Sequence, residues 1–319
     1  MTTISLSQSR IPNMWKRATV IPLPKPGKPP GESTSYRPVS LLSPVARTIE
    51  KILLPILVNT IPMPEHQHGF RKGHSTTTTL CNITGKIAYG MNQKRPPART
   101  VLVALDLKRA FDTVNYEVLH QMILKSKLPS FLRRWLYGYL TGREQRTQYE
   151  GQLSKSIKLK SGVPQGGVLS PFLFCWYMKE MPKPSEGVEI ICYADDITVL
   201  AQDKEPLKCL NRINRYLKDL NEYFERMQLI PSPDKCKALL VSSWNKEWKM
   251  ELGIKLGKSP IETVKKTTLL GVEFDQGMTF KEHVNKVCTK TEKQRIKSHL
   301  LKKSRPPERR TKNCVQSVN

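Results

Sequence analysis

Three aspartates lie beside apolar, strand-like segments at two places in this chain. Asp106 stands near the end of TVLVALDL, and Asp195 and Asp196 interrupt IICYADDITVL, whose ends are rich in β-branched residues. Burying ionised carboxylates is costly unless a cation meets them. Carboxylates that lie close together also raise one another's pKa values. The acids therefore predict a cationic partner.

A divalent metal ion is the cation that suits such a cluster. Mg²⁺ binds oxygen ligands, commonly one or two carboxylates together with substrate phosphates and waters. Two such ions, about 4 Å apart, activate an attacking oxygen and stabilise a leaving oxygen in phosphoryl transfer. This chemistry indicates a nucleotide polymerase or a nuclease. For the tripeptide ADD taken alone, a β-turn with aspartate at its tip is the simpler interpretation.

Short apolar strands and amphipathic helices must position these acids, since two strand ends can meet at a sheet edge or hairpin tip. Apolar periodicity predicts strands at 18–23, 100–107, 236–243 and 267–275. It predicts helices at 43–57, 76–91, 115–126, 129–140, 168–181 and 204–229, followed by a basic helix from 279. In the 204–229 helix the apolar side consists of Leu207, Leu210, Ile213, Leu217, Leu220 and Phe224.

The charge of the chain is strongly positive and unevenly distributed. The 319 residues carry a formal net charge of +26, with a pI of 9.9. Residues 1–100 hold 14 Lys and Arg against three acids, and residues 281–319 hold 12 against three. Two basic flanks around a nearly balanced centre favour nucleic acid as partner, with an anionic membrane surface second. A solvated basic surface is the simpler alternative.

The cysteines and the apolar runs place the chain among intracellular proteins. Seven scattered cysteines form no Cys-x-x-Cys pair, which favours reduced thiols. The N-terminus lacks a signal-peptide apolar region, and no apolar run approaches the roughly 20 residues that span a bilayer. We therefore expect a nuclear or cytoplasmic location and no membrane partner.

Five motifs follow one another in a characteristic order: ALDLKRAFDTV, SGVPQGGVLSPFLF, CYADDITVL, PSPDKCKALL and LLGVEF. In this order the chain resembles the reverse transcriptases of non-LTR (LINE-type) retrotransposons, from about residue 11 to 287. YRPVSLLSPVARTIEKIL and HGFRKGHSTTTTL are similar to the fingers segments of that group. Group II intron reverse transcriptases share PQG and YADD but differ around the RP segment. Retroviral enzymes differ more.

The resemblance implies an α+β, right-hand polymerase fold in which the palm is an antiparallel sheet with helices. Fingers would occupy 1–99, the palm 100–278 with a fingers/palm insert at 115–160, and a truncated basic thumb or tail 279–319. LLGVEF would form the primer-grip hairpin. In the thumb, lysines near helical spacing would face backbone phosphates, although a solvated helix face is an alternative: Lys286, Lys290, Lys293 and Lys297.

The resemblance also implies the reaction and its metal ligands. The expected activity is RNA-directed DNA polymerisation, in which a deoxynucleotide from a dNTP is joined to the 3′-OH of a DNA primer on an RNA template. Two Mg²⁺ ions, or Mn²⁺, would serve as cofactors. Asp106 and Asp195 would bind metal, with the Leu107 carbonyl as an extra oxygen and Asp196 completing the catalytic triad less directly.

Several further residues correspond to the dNTP site of that family. Phe111 would be a steric gate, because a rigid ring beneath the sugar leaves no room for a 2′-OH; plain core is the alternative. Gln165 and Gly166 in PQGG would contact the incoming nucleotide and template, and an ordinary loop-to-helix turn is the alternative. Asp112 is expected to pair locally rather than bind metal.

Basic residues are expected to contact phosphates. Lys25 and Arg37 flank the Pro/Gly loop and would clamp the triphosphate, since arginine suits bidentate phosphate contact. Lys235 matches a lysine that protonates the pyrophosphate leaving group, and Arg71 with Lys72 would line the template side.

Two alternatives to an active reverse transcriptase remain at this point. The chain could be a truncated, inactive remnant that only binds nucleic acid, because it shows no endonuclease and no Cys/His knuckle. Endonuclease activity would then come from a missing part of the element or from another protein. An RNA-dependent RNA polymerase is disfavoured by the combination of Phe111 and YADD.

Overall fold

A computed structural model describes residue 5 and residues 8–303, with side chains as far as residue 295. The helices in these ranges are α1 (Asn13–Lys16), α2 (Pro44–Thr60), α3 (Thr76–Met91), α4 (Tyr116–Lys125), α5 (Ser130–Leu140), α6 (Ser170–Tyr177), α7 (Pro206–Arg226) and α8 (Lys281–Lys303). The strands are β1 (Arg17–Pro24), β2 (Tyr36–Leu41), β3 (Arg99–Leu105), β4 (Glu144–Tyr149), β5 (Gln152–Leu153), β6 (Ile157–Lys158), β7 (Val188–Tyr193), β8 (Asp196–Asp203), β9 (Lys237–Val241), β10 (Lys255–Leu256), β11 (Ser259–Pro260), β12 (Glu262–Thr263), β13 (Lys266–Leu269) and β14 (Val272–Asp275).

The central sheet has the strand order β12-β9-β3-β8-β7, antiparallel except at the β12 edge. Its strands are apolar on both faces because both faces are covered. Val103 packs in the main core together with α7, whereas Leu102 faces a second core that contains Ile83 and Ile87 of α3. The hairpin β13–β14 also contributes to this second core, through Leu269 and Phe274. The sheet is therefore held rigidly between two packed layers.

A second sheet combines the N-terminal region with the predicted insert 115–160. Its order is β2-β1-β4, where β1 and β2 are antiparallel and β1 and β4 are parallel, and β5 and β6 both pair with β4. This smaller sheet carries the Pro/Gly-rich loop between β1 and β2. Helices α4 and α5, from the same insert, pack instead in the main core.

The predicted elements and the observed ones differ at two instructive places. Leu207, expected on the apolar side of its helix, is 64% exposed because it lies in the first turn of α7, outside the contact with the sheet. The segment 267–275 is a hairpin rather than one strand. Leu270 and Gly271 both take positive φ angles between the strands, as a tight two-residue hairpin turn requires.

Three further sequence-based expectations concern the cysteines, membrane-spanning segments and the C-terminal region. The described cysteines are free, and Cys314 lies outside the described residues. Within the part of the chain that the structure covers, no helix combines the length and apolarity needed to cross a membrane. The predicted thumb at 279–319 is described only to Lys303, so the side chain of Lys297 and residues 304–319 lie outside the description.

Candidate active site

The register of the central sheet brings two of the three acids together. Leu105 of β3 pairs with Ile197 of β8, and one further step along both strands places Asp106 opposite Asp196. Because side chains alternate between the two faces of a sheet, these two acids share one face, on the side of α3 and β13–β14. Like charges placed opposite each other across two strands are destabilising. This end of the two inner strands therefore carries a local excess of negative charge.

The third acid lies in the turn that joins β7 to β8. Tyr193 pairs with Asp196, so Ala194 and Asp195 are the two central turn residues. Ala194 has a φ of 57°, a backbone conformation that favours glycine at this position of a hairpin. Asp195 therefore does sit in a β-turn, but the turn places it beside the other acids.

The electrostatics of the acids reflect this crowding. Burial raises the pKa of Asp196 to about 6, and the charges of Asp195 and Asp106 add to the effect. The pKa of Asp195 is also raised, chiefly by burial and then by the charge of Asp106. A cation in this place would offset these penalties.

Lys235 supplies a first cation. Its Nζ lies 3.0 Å from Oδ2 of Asp106, and both side chains line a cavity of 260 Å³ that also includes Asp196. The predicted partner of the leaving group therefore stands beside a predicted metal ligand. Their contact is exposed enough to be exchanged, since the lysine side chain keeps 68% of its surface in solvent.

The loop after α7 fixes the backbone around Asp106. The amide of Ser232 donates to the Asp106 carbonyl at 2.8 Å, and that of Lys108 donates to the Ile230 carbonyl at 2.7 Å. Leu107 lies between these bonds, opposite Pro231. In such an antiparallel arrangement the N–H and C=O of the middle residue point away from the partner strand. The Leu107 carbonyl therefore points away from the loop at Pro231 and is not used in bonding to it.

The donor set fits a divalent cation, although the side chains do not enclose one. Within the described ranges no three acidic, histidine or cysteine side chains form a metal-binding group, and Asp106 lies against Lys235 instead. The set consists of three carboxylates and one carbonyl, which are the oxygen ligands that Mg²⁺ and Mn²⁺ prefer.

Phe111 lies five residues after Asp106 and is half-buried. Its ring stacks on that of Phe174 in α6, with 4.6 Å between centroids and an interplanar angle of 20°. The amide of Val163 donates to the Phe111 carbonyl at 2.8 Å, which ties this turn to the PQGG loop. The Phe111 ring thus stacks on a buried aromatic neighbour, and part of the side chain remains exposed to solvent.

The PQGG loop joins the two sheets. Gln165 Nε2 donates to Asp112 Oδ1 at 2.9 Å, and the Ser40 amide of β2 donates to the Gln165 carbonyl at 2.7 Å. Gly166 has a φ of 133°, and a Cβ there would come within 2.5 Å of the Ser40 carbonyl oxygen. Only glycine fits, because the smaller sheet approaches so closely. The partner of Asp112 is thus a side chain 53 residues away in sequence rather than a local one.

Lys25 and Arg37 lie together on the smaller sheet. Leu23 pairs with Arg37, and the Lys25 amide donates to the Ser35 carbonyl, so the two cations are diagonal neighbours across one hairpin. Lys25 Nζ donates to the Thr34 carbonyl at 2.9 Å, and Arg37 is exposed. Both stand on a different sheet from the acids.

The other predicted basic contacts are exposed or locally bonded. Arg71 donates to the carbonyls of Pro64 and Glu65, and Lys72 is exposed. In α8, Lys286 lies 3.7 Å from Glu273, and Lys290 and Lys293 are exposed.

Sequence reasoning missed Gln67, which is completely buried next to the acidic turn. Its amide contacts the backbone of Ala194, 127 residues away in sequence. The available signal was its place in the segment HQHGF, at the start of a matched motif. A single polar residue in a loop does not reveal its partner.

Comparison with known families gives a match over most of the chain. The family model described as "Reverse transcriptase (RNA-dependent DNA polymerase)" matches residues 23–274. This range contains every predicted site residue.

The curated relatives include proteins from transposons of Drosophila melanogaster. The chain is 28% identical over 302 residues to a probable RNA-directed DNA polymerase from transposon X-element, with 92% of this chain and 32% of the relative covered. It is also 28% identical over 289 residues to the RNA-directed DNA polymerase from mobile element jockey, with 86% and 31% covered. The chain therefore spans about a third of the length of these relatives.

Solved structures with the same fold include telomerase from Candida tropicalis. One superimposes with a TM-score of 0.54 at 12% identity, covering 85% of this chain and 45% of that chain. A form truncated from its C-terminal domain gives a TM-score of 0.53 at 13% identity, covering 87% and 57%. The likeness confirms the predicted α+β polymerase fold.

Proposed function

Because this chain belongs to the reverse transcriptase (RNA-dependent DNA polymerase) family, we propose that it copies an RNA template into DNA. It joins deoxynucleotides from dNTPs to the 3′-OH of a DNA primer, with release of pyrophosphate. The observation that carries the proposal is the convergence of three acids at one end of a rigid sheet. The relatives from Drosophila melanogaster confirm the resemblance to non-LTR retrotransposon enzymes.

Asp106, Asp195, Asp196 and the Leu107 carbonyl are the groups that would hold two Mg²⁺ ions, with Mn²⁺ as an alternative. When bound, such ions activate the attacking hydroxyl and stabilise charge on the leaving phosphate. To act as ligand, Asp106 must give up its contact with Lys235. The freed ammonium group then lies in the same cavity and can donate a proton to pyrophosphate.

The incoming nucleotide would lie between the two sheets. Lys25 and Arg37 contact its triphosphate, and their shared hairpin lets the two cations move together. Phe111 lies beneath the sugar, where its stacking on Phe174 fixes the ring against a 2′-OH. Gln165 and Gly166 present backbone and amide groups to the nucleotide and template.

The nucleic-acid partners follow from the charge distribution. An RNA template and a DNA primer would lie along the basic flanks, where Arg71, Lys72 and the α8 lysines meet backbone phosphates. The chain would work inside the cell, in the nucleus or cytoplasm. Endonuclease activity would come from another part of a longer element or from another protein.

The proposal is tested by extending a DNA primer on an RNA template with Mg²⁺ and dNTPs. The wild-type chain is expected to add deoxynucleotides, and Asp195→Asn is expected to add none while it still binds RNA. Replacing Mg²⁺ with Ca²⁺ should stop extension without preventing template binding. RNA binding without any incorporation by the wild-type chain would contradict the proposal and indicate a binding remnant.

A further inference from the structure

The turn that carries Asp195 is held from outside the central sheet by a segment of the N-terminal region. The His66 carbonyl accepts from the Cys192 amide at 2.7 Å, and the His68 amide donates to the Cys192 carbonyl at 2.8 Å. Gln67 thus forms a parallel bridge with Cys192 at the free edge of β7. The segment ends its contact with β7 just before the acidic turn begins.

The Gln67 side chain then crosses to the turn itself. Its Oε1 accepts from the amides of Ala194 at 2.9 Å and Gly69 at 2.8 Å, and its Nε2 donates to the Ala194 carbonyl at 3.3 Å. The side chain is completely buried, so these bonds are not exchanged with water. One amide group therefore satisfies both backbone groups of Ala194.

Ala194 is the residue of this turn whose backbone is strained. Its φ of 57° is unfavourable for a residue with a Cβ. Strained backbone persists only where its surroundings fix it. The contact is also tight, since a Cβ at Gly69 would come within 2.3 Å of the Ala194 nitrogen.

We propose that Gln67 is a positioning residue that locks the Ala194–Asp195 turn, and so sets where the Asp195 carboxylate stands relative to Asp106. The inference rests on the proposed polymerase function, because the position of Asp195 matters only if the acid takes part in the reaction. Displacing a reacting group by about 1 Å can cost about 100-fold in rate. Gln67 touches no reacting atom, so its contribution is expected in kcat rather than in nucleotide affinity.

The primary test replaces Gln67 with methionine, which has similar length but no amide. Gln276→Met is the matched control, because Gln276 is also buried and donates to the Trp248 carbonyl at 3.0 Å. Gln276 lies at the opposite end of β9 from Asp106, next to Ser242. Three quantities are measured for each variant: amide hydrogen exchange at Ala194 and Gly69, single-nucleotide kcat and KM, and the melting temperature.

Gln67→Met is expected to speed exchange at both amides by tenfold or more, since it removes their acceptor. It should lower kcat about 10- to 100-fold and change KM for dNTP by less than about threefold. Gln276→Met should leave exchange at Ala194 and kcat unchanged even if it melts at as low a temperature. An unchanged kcat, or unchanged exchange at Ala194, in Gln67→Met overturns the inference.

A second variant separates holding the turn from merely filling space. Glycine adopts the Ala194 conformation without strain, so Ala194→Gly in the Gln67→Met background is expected to recover most of the lost kcat. No recovery would contradict the inference. Should Gln67→Met fail to fold, Gln67→Asn withdraws the amide by one methylene and is judged by the same outcomes. If the wild-type chain incorporates nothing, the proposed function fails, yet the exchange rates still decide whether Gln67 holds the turn.

Discussion

The turn between β7 and β8 and the hairpin of β1 and β2 hold their candidate functional residues in opposite ways. The acids end strands that pair over seven residues inside two packed layers, and buried side-chain contacts fix the turn between them. Lys25 and Arg37 flank a long loop on the smaller sheet, where Arg37 is exposed. Under the proposed function, the acids are preorganised before any substrate arrives, whereas the cations would take their final positions only on contact with a phosphate.

The energetic cost differs in the same direction. The raised pKa values of Asp195 and Asp196 mean that their charged forms oppose folding until a cation compensates them. Exposed cations on a hairpin remain hydrated and cost the fold little. Preorganisation is therefore concentrated at the three acids of the proposed reacting centre, and the side chains of Lys25 and Arg37 remain conformationally free.

The largest effect should come from the preorganised region. Asp106→Asn is expected to lower single-turnover incorporation by about 1,000-fold or more, because metal binding at the reacting centre contributes several kcal/mol. RNA affinity should stay within about twofold, since the acid lies away from the basic flanks. Incorporation is measured by rapid quench and RNA affinity by filter binding.

Asp234→Asn is the matched control for Asp106→Asn. Asp234 is an exposed acid next to Lys235, the residue that contacts Asp106, so the charge change is the same but falls on an acid that is not a predicted metal ligand. Its incorporation rate should remain near that of the wild type. Equal losses in both variants would mean that local charge, rather than the ligand position, matters.

How far the sequence predicted each region follows from how local its determinants are. The apolar strand before Asp106 and the YADD turn depend on residues that are adjacent in sequence. The strands and the acids they carry could therefore be predicted. The helices are also predicted within a few residues of their observed ends, because periodicity and capping signals such as Ser75 are local. The Leu207 error arose because periodicity does not show where a helix loses its contact with the sheet.

Contacts across long sequence separations could not be predicted. The bond between Lys235 and Asp106 and the bonds of Gln67 to Ala194 join residues more than 120 positions apart. They depend on the register of the sheet and on a close approach that only Gly69 permits. The resemblance named the site residues but gave no account of what positions them.

A moderate effect is expected from the β1–β2 hairpin, which carries Lys25 and Arg37. Arg37→Ala should raise KM for dNTP about tenfold or more, since a hydrogen bond to a charged group contributes about 1.5–3 kcal/mol. Its kcat should change much less than that of Asp106→Asn. Lys28→Ala, an exposed lysine of the same loop, serves as the control in steady-state extension assays. A loss confined to kcat in Arg37→Ala would erase the distinction between the two regions.

Phe111 belongs to both regions, because a buried partner fixes its ring while its outer face stays open. Phe111→Ala is expected to reduce the preference for dNTP over rNTP by about tenfold or more, the size of effect that a filled or emptied pocket gives. The ratio of kcat/KM values for the two nucleotides measures it. Phe174→Leu removes the stacked partner but keeps the Phe111 ring, so it should lower the melting temperature and reduce the preference much less than Phe111→Ala does. If both variants lost discrimination equally, packing rather than the Phe111 ring would set it.

The smallest effect concerns the cost of holding the acids together. The folded chain raises the pKa of Asp196 from 3.8 to about 6, so its carboxylate opposes folding above that pH. The penalty grows as the pH rises from about 4 to about 6 and is small at pH 4, where the group is protonated in the folded chain and about half protonated in the unfolded chain. Asp196→Asn should therefore stabilise the metal-free protein at pH 7.5. Because Asp196 is partly exposed, the gain is about 1 kcal/mol, or about 2–4 °C.

Thermal melts of both proteins in EDTA, at pH 7.5 and at pH 4, measure this difference. The melting temperatures of the two proteins should lie close together at pH 4 and separate at pH 7.5. Arg37→Ala should show no such pH-dependent separation from the wild type, because an exposed arginine keeps its charge throughout this range. A variant that melts below the wild type at pH 7.5 would mean that Asp196 already has a compensating cation in the metal-free fold. In that case the fold would not hold the acids together against their mutual repulsion. The difference in folding cost between the acids and the exposed cations of the β1–β2 hairpin would then be lost.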